Sequence, residues 1–136
     1  PIAADTPAPE APEASASNAG RTVLVVDDEP GVRAFMADTL RDAGYDAREA
    51  EDVGVALTRL EAEPPDLLVT DYSMPGMTGL ELAERARAKT PELKVLIVSG
   101  FADAAVIERS ASRARLLRKP FDEHALVAAV ETALSK

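Results

Sequence analysis

The strongest constraint on how this chain can fold is a repeated alternation. A short apolar run ends in a polar residue, and a stretch with apolar residues at helical spacing follows. Val23-Leu24-Val25-Val26 runs into Asp27 and Asp28, and Val32, Phe35, Met36 and Leu40 then recur at intervals of one side of a helix. Gly44 stands where that helix should stop. Residues 45–50 form a weaker second strand, and Val53, Ala56, Leu57 and Leu60 mark a helix closed by Pro64-Pro65. Residues 66–71 read as a third strand, followed by the turn-rich Met74-Pro75-Gly76-Met77-Thr78-Gly79 and a helix over 80–89. Residues 94–98 are a fourth strand, 103–110 a poorly patterned helix, and 116–118 a short fifth strand. The last helix spans 122–134, with Asp122 as its cap.

Five strands alternating with five helices predict an α/β domain with a parallel sheet. Crossovers in such sheets are almost always right-handed, and ligands gather at the carboxyl ends of the strands. The polar residues that close the apolar runs fall at those ends: Asp27 and Asp28, Asp71, Ser99 and Lys119.

With 136 residues there is room for one domain with a sizeable core and not for two. No apolar run approaches the length of a membrane span, so no membrane contact is expected of this segment. With no cysteine, disulfides and thiolate metal sites are excluded. A net charge of −9 argues against binding nucleic acid, whose phosphates it would repel. Residues 1–20 differ in kind from the rest: four prolines, seven alanines, three acids and no basic residue make them an expected mobile linker. Because the chain starts at Pro1, the expectation is a piece of a longer polypeptide, with the folded domain over 21–136.

Three carboxylates brought together repel one another and call for a cation. Hard oxygen ligands of this kind suit magnesium, and such an ion neutralises charge on a transferring phosphoryl group. A carboxylate can itself attack phosphorus to give an acyl phosphate. Lys119 would supply a fixed positive charge and Ser99 a hydroxyl donor. Singly, each residue reads as a solvated turn or a loop start; together, in order at strand ends, they make a set for phosphoryl transfer to an aspartate.

Four segments carry a resemblance in register. Val25-Val26-Asp27-Asp28-Glu29, Asp71-Tyr72-Ser73-Met74-Pro75-Gly76-Met77-Thr78-Gly79, Val98-Ser99-Gly100 and Arg118-Lys119-Pro120-Phe121 resemble the receiver domains of bacterial two-component signalling. The resemblance implies a doubly wound, flavodoxin-like sheet of five parallel strands in the order 2-1-3-4-5, with five helices. It implies Asp71 as phosphoacceptor, charged by a histidine kinase or a histidine phosphotransfer protein in the cytoplasm. Magnesium would be held by Asp28, Asp71 and the backbone carbonyl of Ser73, with Asp27 acting through water. Ser99 and Lys119 would contact the phosphoryl group, and the Lys119–Pro120 peptide would be cis.

Two positions depart from the family. Leu116 stands where receivers usually carry an aromatic residue that turns inward on activation, which puts the usual output switch in doubt. Phe101, with Ser73, occupies a position implied to tune phosphoryl lifetime. His124, the one histidine, lies away from the site and is expected to have a surface or interface role. The linker and the missing aromatic favour the carboxyl-terminal receiver of a hybrid histidine kinase over a stand-alone regulator. In neither setting is the domain an enzyme beyond its own phosphorylation and dephosphorylation. A haloacid-dehalogenase-type phosphatase would need Asp-x-Asp after the first strand, which Asp27-Asp28-Glu29 does not supply. A phosphorylation-independent interaction module would be signalled by loss of an acid or of the lysine, and none is lost. Oligomeric state is left open.

Overall fold

Along the described residues, strand and helix alternate as β1 (Thr22–Val26), α1 (Pro30–Asp42), β2 (Asp46–Ala50), α2 (Val53–Ala62), β3 (Leu67–Asp71), α3 (Gly79–Lys89), β4 (Lys94–Ser99), β5 (Arg115–Arg118) and α4 (Glu123–Ser135). The structure, a computed structural model, describes residues 20–100 and 115–135. The helix expected over 103–110, Phe101, and all of the 1–20 stretch but Gly20 lie outside them. All strand pairs are parallel, and the sheet order is β2-β1-β3-β4-β5, the expected 2-1-3-4-5.

The three central strands, β1, β3 and β4, are built on runs of apolar residues because both their faces are covered. Val23, Val25, Leu67, Val69, Leu96 and Val98 point toward α1 and α4, where Met36, Leu40, Leu126 and Val130 are fully buried. Leu24, Val26, Leu68, Val95 and Ile97 point the other way, onto Leu60, Leu82 and Ala86 of α2 and α3. Alternation of side chains along each strand thus feeds two cores, one on each face of the sheet.

The first edge strand, β2, is short and charged. Arg41 reaches from α1 to the Ala47 carbonyl with Nε at 3.0 Å and Nη2 at 2.8 Å. Arg48 pairs with Asp46 at 3.1 Å and with Glu63. Charges of this kind blunt an edge against pairing with another chain. The strand starts at Asp46 and not at Tyr45, for a local reason. Gly44 has a φ of 102°, its amide bonds the Arg41 carbonyl, and the Tyr45 amide bonds the Leu40 carbonyl. The backbone of Tyr45 therefore closes α1, in the pairing typical of a glycine-terminated helix.

The starts of α2, α3 and α4 are capped by side chains. Asp52 accepts from the Val55 amide at 2.8 Å, Asp122 from the Ala125 amide at 2.8 Å, and Thr78 and Glu81 form a reciprocal capping box at α3. At its other end α4 has no basic residue in its last turn, and Lys94 of β4 donates to the Leu134 carbonyl at 2.8 Å instead. Lys94→Met should lower the urea midpoint by an amount equal to about 1 kcal/mol, with the slope unchanged. A midpoint equal to that of the parent domain would mean that water satisfies Leu134 as well as the lysine does.

One apolar expectation fails. Phe35 shares the helical period of Met36 but is 38 % exposed, because the buried stripe of α1 centres on Met36, Ala37 and Leu40. Its ring meets that of Phe121 instead, at a centroid distance of 6.2 Å.

Candidate functional site

The strand ends deliver the candidate residues to one rim. Asp27 follows the last residue of β1, Asp71 ends β3, Ser99 ends β4, and Lys119 follows β5. Each of the first three is almost wholly buried: Asp27 at 1 %, Asp71 at 6 % and Ser99 at 1 % exposure. Asp28 lies exposed beside them. Asp27, Asp28 and Asp71 each place a carboxylate oxygen so that all three lie within 4.8 Å of one another. The Lys119 ammonium stands 3.2 Å from Asp71 Oδ1, and its backbone amide donates to the Ser99 carbonyl at 2.8 Å. The Lys119–Pro120 peptide is cis.

Burial raises the pKa of Asp71, opposed by the charge and hydrogen bond of Lys119. Burial likewise raises that of Asp27, opposed by the Glu29 amide and reinforced by the nearby charge of Asp71. Asp27 Oδ1 accepts from that amide at 2.9 Å, whereas Oδ2 is buried without a hydrogen-bond partner. A buried carboxylate oxygen left without a donor, beside two further carboxylates, fits a hard cation with oxygen ligands. The donor set therefore suits magnesium, with Asp27, Asp28 and Asp71 as the residues able to hold it.

The other candidates are placed as follows. Ser99 Oγ donates to the Gly100 carbonyl at 2.9 Å. Ser73 lies exposed in the loop after β3. Leu116 is half-buried and packs with the α2–α3 core. His124 is exposed at the start of α4, in a groove between α1 and α4 with Thr39 and Asp42.

Three supporting residues carried no clear signal in the sequence. Gly79, the first residue of α3, lies against the backbone of Asp71, and its amide donates to the Tyr72 carbonyl at 2.8 Å. The buried Thr70 hydroxyl donates to the Asp71 carbonyl at 3.0 Å. Arg33 Nη1 donates to the Asp27 carbonyl at 2.9 Å. The Thr78-x-x-Glu81 spacing could have moved the start of α3 back to Gly79; nothing in the sequence marks the other two.

Residues 23–131 match the family model of the response regulator receiver domain. The chain is 39% identical over 116 residues to the response regulator receiver protein CpdR of Brucella abortus, covering 84% of this chain and 97% of that one. It is 36% identical over 118 residues to the nitrogen assimilation regulatory protein NtrX of Azorhizobium caulinodans, of which it spans only 26%. Among solved structures, the receiver domain of NtrX from Brucella abortus superposes with a TM-score of 0.74 at 32% identity, covering 84% of this chain and 98% of that one. A putative response regulator from Chloroflexus aurantiacus gives 0.75 at 32% identity, over 86% and 99%.

Proposed function

The chain belongs to the response regulator receiver domains, the phosphoacceptors of two-component signalling, and on that premise we propose that Asp71 takes the phosphoryl group from a phosphohistidine. The observation that carries this reading is the pairing of a buried Asp71 with Lys119 inside a cluster of three carboxylates at parallel strand ends. Asp71 Oδ forms the new bond to phosphorus as the phosphorus–nitrogen bond breaks, and the donor imidazole leaves with its proton. Lys119 Nζ, at 3.2 Å from Asp71 Oδ1, is placed to follow the phosphoryl oxygens as charge moves onto them. Ser99 Oγ, one bond rotation from its Gly100 contact, can donate to the same group. Bound magnesium would supply charge neutralisation at those oxygens, held by Asp27, Asp28, Asp71 and the Ser73 carbonyl.

The donor is a histidine kinase or a histidine phosphotransfer protein, and a cytoplasmic setting follows from that pairing. Among the described residues, no helix is long and apolar enough to cross a membrane. The relatives named are response regulators, and one of them is matched across 97% of its length, which supports a regulator setting over the expected hybrid-kinase parent. Leu116, packed with Tyr72 and Leu80 against the α2–α3 core, has no ring to turn inward, so output is proposed to run through another element.

The test is incubation with magnesium and acetyl phosphate, read by intact mass, with Asp71→Asn alongside. A single magnesium-dependent phosphoryl adduct, absent from the variant, is expected. No adduct on the folded domain, with a phosphohistidine donor also tried, would favour a phosphorylation-independent interaction module.

A further inference from the structure

Asp27 is held at three of its polar atoms and free at one. Its amide donates to the Ala50 carbonyl at 3.3 Å, its carbonyl accepts from Arg33 Nη1 at 2.9 Å, and Oδ1 accepts from the Glu29 amide at 2.9 Å. The free atom is Oδ2, buried and without a partner. Where Oδ2 stands is thus decided by what fixes the Asp27 backbone together with the bond at Oδ1. Two of the three restraints are ordinary chain geometry: the Ala50 bond extends the β1–β2 ladder and the Glu29 bond closes a local turn. The third is a side chain that reaches back from the first turn of α1.

That side chain is itself fixed. Arg33 is only 16% exposed, and its Nε lies 3.2 Å from Glu49 Oε1 on β2. The planar guanidinium presents its donors at set angles, so seating Nε on Glu49 orients Nη1 on the Asp27 carbonyl. Glu49 is in turn met on Oε2 by Arg41 Nη2 at 3.4 Å, and Arg41 is anchored on the Ala47 carbonyl. Glu49 therefore stands between two arginines, only one of which touches Asp27.

We propose that Arg33, seated by Glu49, is a positioning residue that holds Asp27 with its free carboxylate oxygen directed to the cation of the acidic rim. The proposal rests on the reading of that rim as a magnesium-assisted phosphoacceptor. Its effect is on cation affinity, before any phosphoryl transfer. Partners one step behind metal ligands commonly contribute about tenfold or more in affinity.

The test is the magnesium dissociation constant of the whole chain, measured by calorimetry or amide chemical-shift titration without phosphodonor. Arg33→Met should raise the constant about tenfold. Arg33→Lys should recover part of the loss, since one ammonium cannot serve both the Asp27 carbonyl and Glu49. Arg41→Met removes the other arginine on Glu49 and should lower the thermal midpoint, leaving the magnesium constant within about twofold. Equal rises for Arg33→Met and Arg41→Met would overturn the proposal, because both would then act through general loosening. An unchanged constant in folded Arg33→Met would also overturn it. Should that variant not fold, Glu49→Gln decides: a smaller rise in the same direction supports the assignment, and no rise sinks it. No magnesium binding by the parent chain would remove the phosphoacceptor reading and this proposal together, an outcome distinct from failure of the variants alone.

Discussion

Gly79→Ala should destabilise the domain by about 3 kcal/mol or more, although it adds one methyl group at the start of a helix. A Cβ at Gly79 would stand 2.4 Å from the Asp71 carbonyl oxygen and 3.1 Å from both its carbonyl carbon and Thr70 Cγ2. Two of those atoms are backbone of the last residue of β3, which cannot rotate aside. Nor can α3 back away freely, because the Gly79 amide bonds the Tyr72 carbonyl and Thr78 and Glu81 lock the first turn. Relief must come from moving either α3 or the end of β3, and the second would shift Asp71. Gly31→Ala gives the contrast. Gly31 is also in the first turn of a helix, but a Cβ there meets nothing within 4 Å. That variant should be neutral to stabilising, by up to about 1 kcal/mol, since alanine loses less backbone freedom. Urea denaturation of the two variants should therefore give shifts of opposite sign. A Gly79→Ala midpoint within error of the parent would show that the close approach is easily relieved.

The reason Gly79 escapes a reading of the sequence is general. In Met74-Pro75-Gly76-Met77-Thr78-Gly79 two glycines look alike, and both suggest turns. Only Gly76 has a positive φ, of 88°; Gly79 is needed because the backbone at the end of the preceding strand lies against it. Arg33 is hidden in the same way. An arginine in an amphipathic helix reads as a solvated face, and only the β1–α1 turn brings its fork back to the Asp27 carbonyl.

Where local pattern and tertiary burial agree, the reading succeeds. Val23–Val26 and the apolar runs of β3 and β4 are continuous because the sheet is covered on both faces, and that continuity set the strands and their polar ends. The sequence Asp46-Ala-Arg-Glu-Ala is faint as a strand because an edge position lets charge replace apolar surface. Phe35 shows the opposite error: its spacing was right for a core, but the ring faces the groove beside Lys119 with Phe121.

Asp27→Asn should stabilise the metal-free domain at neutral pH while removing most of its stabilisation by magnesium. Burial raises the pKa of Asp27 in the folded state above the ordinary aspartate value of 3.8, so the folded chain holds this proton to higher pH than the unfolded one. The sign follows. Below that value the group is protonated in both states and costs nothing. As pH rises through the folded pKa, the folded state must carry a buried charge, and the stability present at acid pH is lost. Asparagine keeps an oxygen for the Glu29 amide and carries no charge toward Asp71, so in chelator it should gain on the order of 1 kcal/mol. Other carboxylates titrate over the same range, so the informative quantity is the difference between variant and parent. That difference should be near zero at the acid end and grow as pH rises from about 4, in step with ionisation of Asp27. Magnesium acts on the parent in the opposite sense: at ten times its dissociation constant it adds about 1.4 kcal/mol. The variant, lacking one carboxylate of the three, should gain little, and the gap between the two should narrow by about that amount. An Asp27→Asn domain less stable than the parent in chelator at pH 7 would mean that the Glu29 amide and Lys119 outweigh the cost of burial. The orphaned Oδ2 would then no longer point to a cation.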